Sequence, residues 1–122
     1  MGHFKKLMAW QHARTLAVLS DAAIKRLPAY EHAGLADQWR RAAYSVVLNI
    51  AEGASRPGRK EFRRFLGIAR SSLDEIEAIV DLATAFSYVS GEEAKALEDA
   101  RDECSKTLYG LMRKLDDPPR PS

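Results

Sequence analysis

Cations dominate the residues that could carry chemistry. From Arg40 to Arg70 the chain holds Arg40, Arg41, Arg56, Arg59, Lys60, Arg63, Arg64 and Arg70 against two acids, Glu52 and Glu61. Clustered Arg and Lys are what a phosphate backbone rewards, by Coulombic attraction and the release of condensed counterions. The next stretch reverses the sign, since from Ser71 to Glu103 ten acids face only Lys95 and Arg101. A formal net charge of +2 therefore hides a strong segregation. Three readings of the basic run stay open: a solvated face, contact with RNA or DNA, and pairing with acids of a neighbouring subunit. The rings inside the run, Phe62 and Phe65, fall on an apolar stripe, so no single-strand stacking platform is expected. Nucleic-acid contact would be led by phosphate, with little sequence preference.

Catalytic chemistry finds few candidates. His3, His12 and His32 lack the i, i+4 partner that a helical metal site uses, and no His-Glu-x-x-His pattern occurs. Cys104, the single cysteine, excludes an internal disulfide framework and a multi-cysteine zinc site. Its place on an apolar stripe predicts a buried, quiet thiol. Gly53 and Gly58 bracket Pro57 without the signature of a phosphate-binding loop, which leaves an interhelical turn. Asn49 and Glu52 lie one turn apart, and helix-to-helix hydrogen bonding accounts for them, with Glu52 also spaced i, i+4 from Arg56. No catalytic residue, cofactor, metal or small-molecule substrate is expected, and the chain is read as a non-enzyme.

Four segments of helical period must position these groups. The first runs from about Lys5 to Leu27, with Ala9, Trp10, Ala13, Leu16, Ala17, Ala23, Ile24 and Leu27 on its apolar face, and Pro28 ends it. The second, from about Leu35 to Ala54, aligns Leu35, Trp39, Ala42, Ala43, Val46, Ile50 and Gly53. Pro57 suits the first turn of a third helix reaching to about Phe86, capped near Ser55 or Arg56. Its stripe is Phe62, Phe65, Leu66, Ala69, Leu73, Ile76 and Val80. Ser90 and Glu93 have capping-box spacing and open a fourth helix, whose stripe is Leu97, Ala100, Cys104, Leu108, Leu111 and Leu115.

Short connections between long helices favour antiparallel neighbours, so the expected fold is all-α, an up-down-up-down four-helix bundle. At 122 residues the chain suits one domain, placed at 1–117, with 118–122 as a disordered tail. No apolar run approaches the roughly 20 residues of a membrane span and no signal-peptide pattern opens the chain, so a cytoplasmic location is expected.

In such a bundle Lys5, Lys6, Arg113 and Lys114 join the Arg56 to Arg64 cluster at one end, making the molecule electrically polar along its axis. Cations in the first turns of the third helix sit at the positive end of its dipole, which calls for compensation. Tyr44 and Leu48 point away from the core stripe of the second helix, and Ala42 to Ala51 is apolar or small around most of its circumference. That pattern predicts a homo-oligomer built on this helix.

The stretch Leu35-Ala36-Asp37-Gln38-Trp39-Arg40-Arg41-Ala42-Ala43-Tyr44-Ser45-Val46-Val47-Leu48-Asn49-Ile50-Ala51-Glu52-Gly53 closely resembles the hallmark of the bacterial 23S rRNA intervening-sequence family. The motifs Phe4 to Ala13 and Glu61 to Glu75 resemble that family's opening and third-helix motifs. Two departures stand out: Val47 replaces a common proline, which predicts a straighter second helix, and Ser71 replaces a common glycine. The resemblance implies a small antiparallel bundle, assembling in some members as a ring of five. It also implies kinship with accessory proteins of diversity-generating retroelements, which bind nucleic acid and a reverse transcriptase. The leading expectation is a nucleic-acid-associated accessory protein contacting its partner through Arg56, Arg59, Lys60, Arg63 and Arg64, extended by Arg40, Arg41 and Arg70. The alternative is an oligomeric scaffold for another protein.

Overall fold

The computed structural model describes residues 3–116, so the expected tail at 118–122 lies outside the described residues. A 3-10 turn over His3–Lys6 leads into α1 (Met8–Ile24), and a second turn, Ala29–Glu31, leads into α2 (Leu35–Ser55). Then come α3 (Arg59–Ala85) and α4 (Gly91–Asp116). Each helix packs on the one before it and α4 closes on α1, giving the all-α, antiparallel four-helix bundle that the periodicity predicts; no strand occurs among the described residues.

The expected stripes form the core. Leu16, Trp39, Ile50, Leu66, Leu73, Ile76, Leu97, Leu108 and Cys104 are all but fully buried. Removal from water contributes roughly 1.5–3 kcal/mol for each large apolar side chain among them. Between α2 and α3 the spacing is set by Gly53, where a Cβ would stand 2.8 Å from Phe65 Cβ and 3.3 Å from the Phe62 carbonyl oxygen. Farther along the same seam Ser72 Oγ donates to Ser45 Oγ at 2.8 Å. Asn49 donates within α2, to the Ser45 carbonyl and hydroxyl, so the helix-to-helix hydrogen bond expected of Asn49 belongs instead to Ser45 and Ser72.

Two boundaries differ from expectation. The segment at His3–Lys6 is a 3-10 turn and not the start of α1, and α1 ends at Ile24. Pro57 lies ahead of α3 and not in its first turn, because Gly58 takes the N-cap position at φ 89, a left-handed conformation open to glycine at little cost. Arg56, extended at φ −85 and ψ 143, terminates α2.

The remote end of the bundle, where the α1–α2 and α3–α4 connections meet, is tied by hydrogen bonds. Tyr88 donates to Glu31 Oε2 at 2.8 Å, and the Tyr30 and Tyr88 hydroxyls are hydrogen-bonded at 3.1 Å. Glu31 Oε1 in turn accepts from the Leu35 amide at 3.3 Å, which satisfies a donor in the first turn of α2. Ser90 Oγ accepts from the Glu93 amide at 3.1 Å, the expected cap of α4. The Glu93 carboxylate turns to Arg26 and pairs with it, joining α4 to the chain just after α1. Helix α3 stops on Ser87 at φ 62, with the Tyr88 amide donating to Ala83 and the Ser87 amide to Thr84, as in a Schellman termination.

Candidate nucleic-acid interface

The sharp α2–α3 turn and the start of α3 present Arg56, Arg59, Lys60, Arg63 and Arg64 together at one end, all exposed except the half-buried Arg63. The last turn of α4 adds Arg113 and Lys114, and the N-terminal 3-10 turn, packed on α2, adds Lys5 and Lys6. Nine cations thus gather against Glu52, Glu61 and Asp116 among the described residues of this end.

The compensation that the α3 dipole calls for comes from the chain itself. Arg59 Nη2 donates to the Lys114 carbonyl at 2.6 Å, reaching the negative end of α4. Arg63 pairs with Asp116 at 2.9 Å, Arg64 with Glu61 at 3.0 Å and Arg56 with Glu52 at 2.8 Å. These pairs are partly to well exposed, so each contributes about 0–1 kcal/mol and can be exchanged at little cost. Phe65, expected in the core, is only half-buried. The Arg64 guanidinium stands 4.5 Å and that of Arg56 5.6 Å from its ring centroid.

The other sequence-derived cations do not all join this cluster. Arg40 and Arg41 lie near the opposite end of α2, some 15 residues or about 22 Å of helix from Arg56, and Arg41 faces Asp37 at 3.7 Å. Arg70 lies on the α3–α4 face, where it and Tyr109 line one concavity. Sequence reasoning missed Tyr109, which is 55% exposed and carries the Arg113 guanidinium 5.9 Å from its centroid. Its i, i+4 spacing from Arg113 is legible in the α4 sequence, but a ring on α4 and Arg70 on α3 become neighbours only through packing.

Tyr44 and Leu48 stand out from α2 at 56% and 62% exposure. Beside Leu48 lies an open concavity of about 830 Å³ lined by His3, Phe4, Leu48, Asn49, Glu52 and Ser55. One wall comes from the 3-10 turn, whose Phe4 meets Trp10 edge-on at 5.1 Å. Cys104 is buried against the Ala9 carbonyl, and burial pushes its thiol up to about 12. No cluster of metal-ligating side chains occurs among the described residues, and no described helix is long and apolar enough to cross a membrane.

A model of the 23S rRNA-intervening sequence protein family matches residues 5–110. Among solved structures, the chain is similar to a protein of unknown function from the S23 ribosomal protein family of Bacteroides thetaiotaomicron. The two share 22% identity and a TM-score of 0.79 over 86% of this chain and 95% of that one. At that identity the likeness speaks for the fold. No curated protein matches the chain. With the family model covering residues 5–110 of a 122-residue chain, the chain belongs to the 23S rRNA-intervening sequence protein family.

Proposed function

We propose that this chain is a non-enzymatic binding protein that contacts the phosphate backbone of a nucleic acid through the basic end of its bundle. The observation that carries this reading is the gathering of nine cations against three carboxylates at one end, in pairs exposed enough to be traded for phosphates. The family's description, with its 23S rRNA intervening sequence, accords with a nucleic-acid partner. Arg56, Arg59, Lys60, Arg63 and Arg64 form the contact, and Arg70 extends it along α3. Arg40 and Arg41 are too remote to share the same short stretch of backbone.

The exposed Tyr44 and Leu48 favour assembly of the chain with copies of itself through α2, and the resemblance suggests a ring of five. Side-by-side copies would bring their basic ends to one rim and multiply weak contacts. On the second reading, the same face would bind a different protein, such as a reverse transcriptase, and the chain would act as a scaffold.

The test is binding of RNA and DNA as a function of salt, with the parent and an Arg59→Glu, Arg63→Glu, Arg64→Glu variant. Affinity should fall steeply with salt, by about 0.9 counterions per neutralised phosphate on duplex DNA, and the variant should lose binding with its helical content intact. A variant that binds as tightly as the parent at low salt would remove this surface from consideration. Light scattering on a sizing column reads the assembly, which a Tyr44→Glu, Leu48→Glu variant should dissociate by burying unpartnered charge.

A further inference from the structure

The aromatic ring that the basic run lacks in sequence is supplied in space. Helices α3 and α4 run antiparallel, in a register fixed by the Arg59 bond to the Lys114 carbonyl and by the Arg101 ion pair with Glu77. That register places Arg70 opposite Tyr109, one turn before Arg113 on α4. Arg70, Asp74, Glu77, Ser105, Tyr109 and Met112 line a concavity of about 210 Å³ on this face. Phe65 differs, being half-buried with two guanidinium groups over it, whereas Tyr109 is more than half exposed and, among the described residues, only Arg113 stands over its ring.

We propose that the α3–α4 face beside the basic end is a single-strand nucleic-acid site, in which Tyr109 stacks a base and Arg70 and Arg113 hold the flanking phosphates. This rests on the nucleic-acid reading above and narrows it to a substrate class. Every base has a π-face, so stacking on an exposed tyrosine suits a strand of any sequence, and a guanidinium at the ring edge adds attraction for the adjoining phosphate. A duplex keeps its bases stacked on one another and offers no face to the ring. Asp74 and Glu77, the latter paired with Arg101, line the same concavity one and two turns farther along α3 from the basic end than Arg70. The positive potential around Arg63, Arg59 and Lys114 therefore draws the strand from Tyr109 toward the basic end and away from the acidic half of the molecule.

The experiment is a fluorescence-anisotropy titration of a labelled single-stranded RNA of about 12 nucleotides, and of the same sequence as a duplex. The proteins are the parent, Tyr109→Ala, Tyr109→Phe and the triple charge reversal at Arg59, Arg63 and Arg64. Tyr109→Ala should weaken single-strand binding about tenfold while leaving duplex binding unchanged, and Tyr109→Phe should bind like the parent. The charge reversal should weaken both. If Tyr109→Ala alters both affinities equally or neither, or if Tyr109→Phe fails to restore the single-strand preference, the stacking site is wrong while the basic-end contact can stand. A parent that binds neither RNA form overturns both readings together.

Discussion

Where the α1–α2 and α3–α4 connections meet, Tyr88 binds Glu31 and Tyr30 across 57 and 58 residues of sequence, Glu31 and Ser90 accept from the Leu35 and Glu93 amides, and Arg26 pairs with Glu93. At the opposite end, four arginines find partners of their own, yet those partners are carboxylates in water or a terminal carbonyl. At the first end, polar side chains, with Glu31, Tyr88 and Glu93 half-buried, are committed to closing loops, and removing one takes a bond from its neighbour. At the second they hold a concentration of charge in place weakly, so a phosphate can replace a carboxylate with little loss to the fold. The contrast suggests which end maintains the bundle and which is available to a partner.

The largest test of that contrast removes charge from the question. If steric approach and not ion pairing secures the basic end, Gly53→Leu should destabilise the protein by about 3 kcal/mol, because the new side chain meets Phe65 and the Phe62 backbone. Urea unfolding reads it, and a loss below about 0.5 kcal/mol would mean that α2 and α3 can separate there freely. Tyr88→Phe at the remote end should come next, lowering the melting temperature by a few degrees as Tyr30 and Glu31 lose their shared partner. The same residue predicts an alkaline effect. The hydrogen bond with Tyr30, then that with Glu31, raises the Tyr88 phenol above its ordinary 10.0. The unfolded chain therefore ionises first, and this contribution, present below pH 10, is lost as pH climbs beyond it. Tyr88→Phe should flatten that part of the stability profile. Smallest of all, Arg63→Ala should change stability by no more than about 0.5 kcal/mol and match the parent in high salt. Should it exceed the effect of Tyr88→Phe, the division of labour between the ends is mistaken.

The helices and their buried stripes were legible because each spans several turns, long enough for a 3.6-residue period to declare itself. The 3-10 turn at His3–Lys6 was not, since four residues carry no period. Pro57 was misplaced because proline is at home in a first helical turn, whereas the deciding feature was the left-handed φ of Gly58. Of the candidate site, composition revealed the cations from Arg56 to Arg64, and the up-down topology brought in Lys114. What stayed hidden depends on pairs of elements. Arg59 reaching the Lys114 carbonyl and Tyr109 facing Arg70 are products of register between α3 and α4, which the pattern of either helix alone does not contain.

The axial separation of charge has a consequence for how the molecule meets any extended surface. A particle carrying +2 spread evenly would approach a negatively charged plane in every orientation and adhere feebly, whereas this one experiences a torque that turns its Arg59 end downward. On a cation-exchange resin it should elute later than its net charge warrants, as though it were a far more basic protein. Once adsorbed, the molecules should stand upright, with the Tyr30–Tyr88 end facing the solvent.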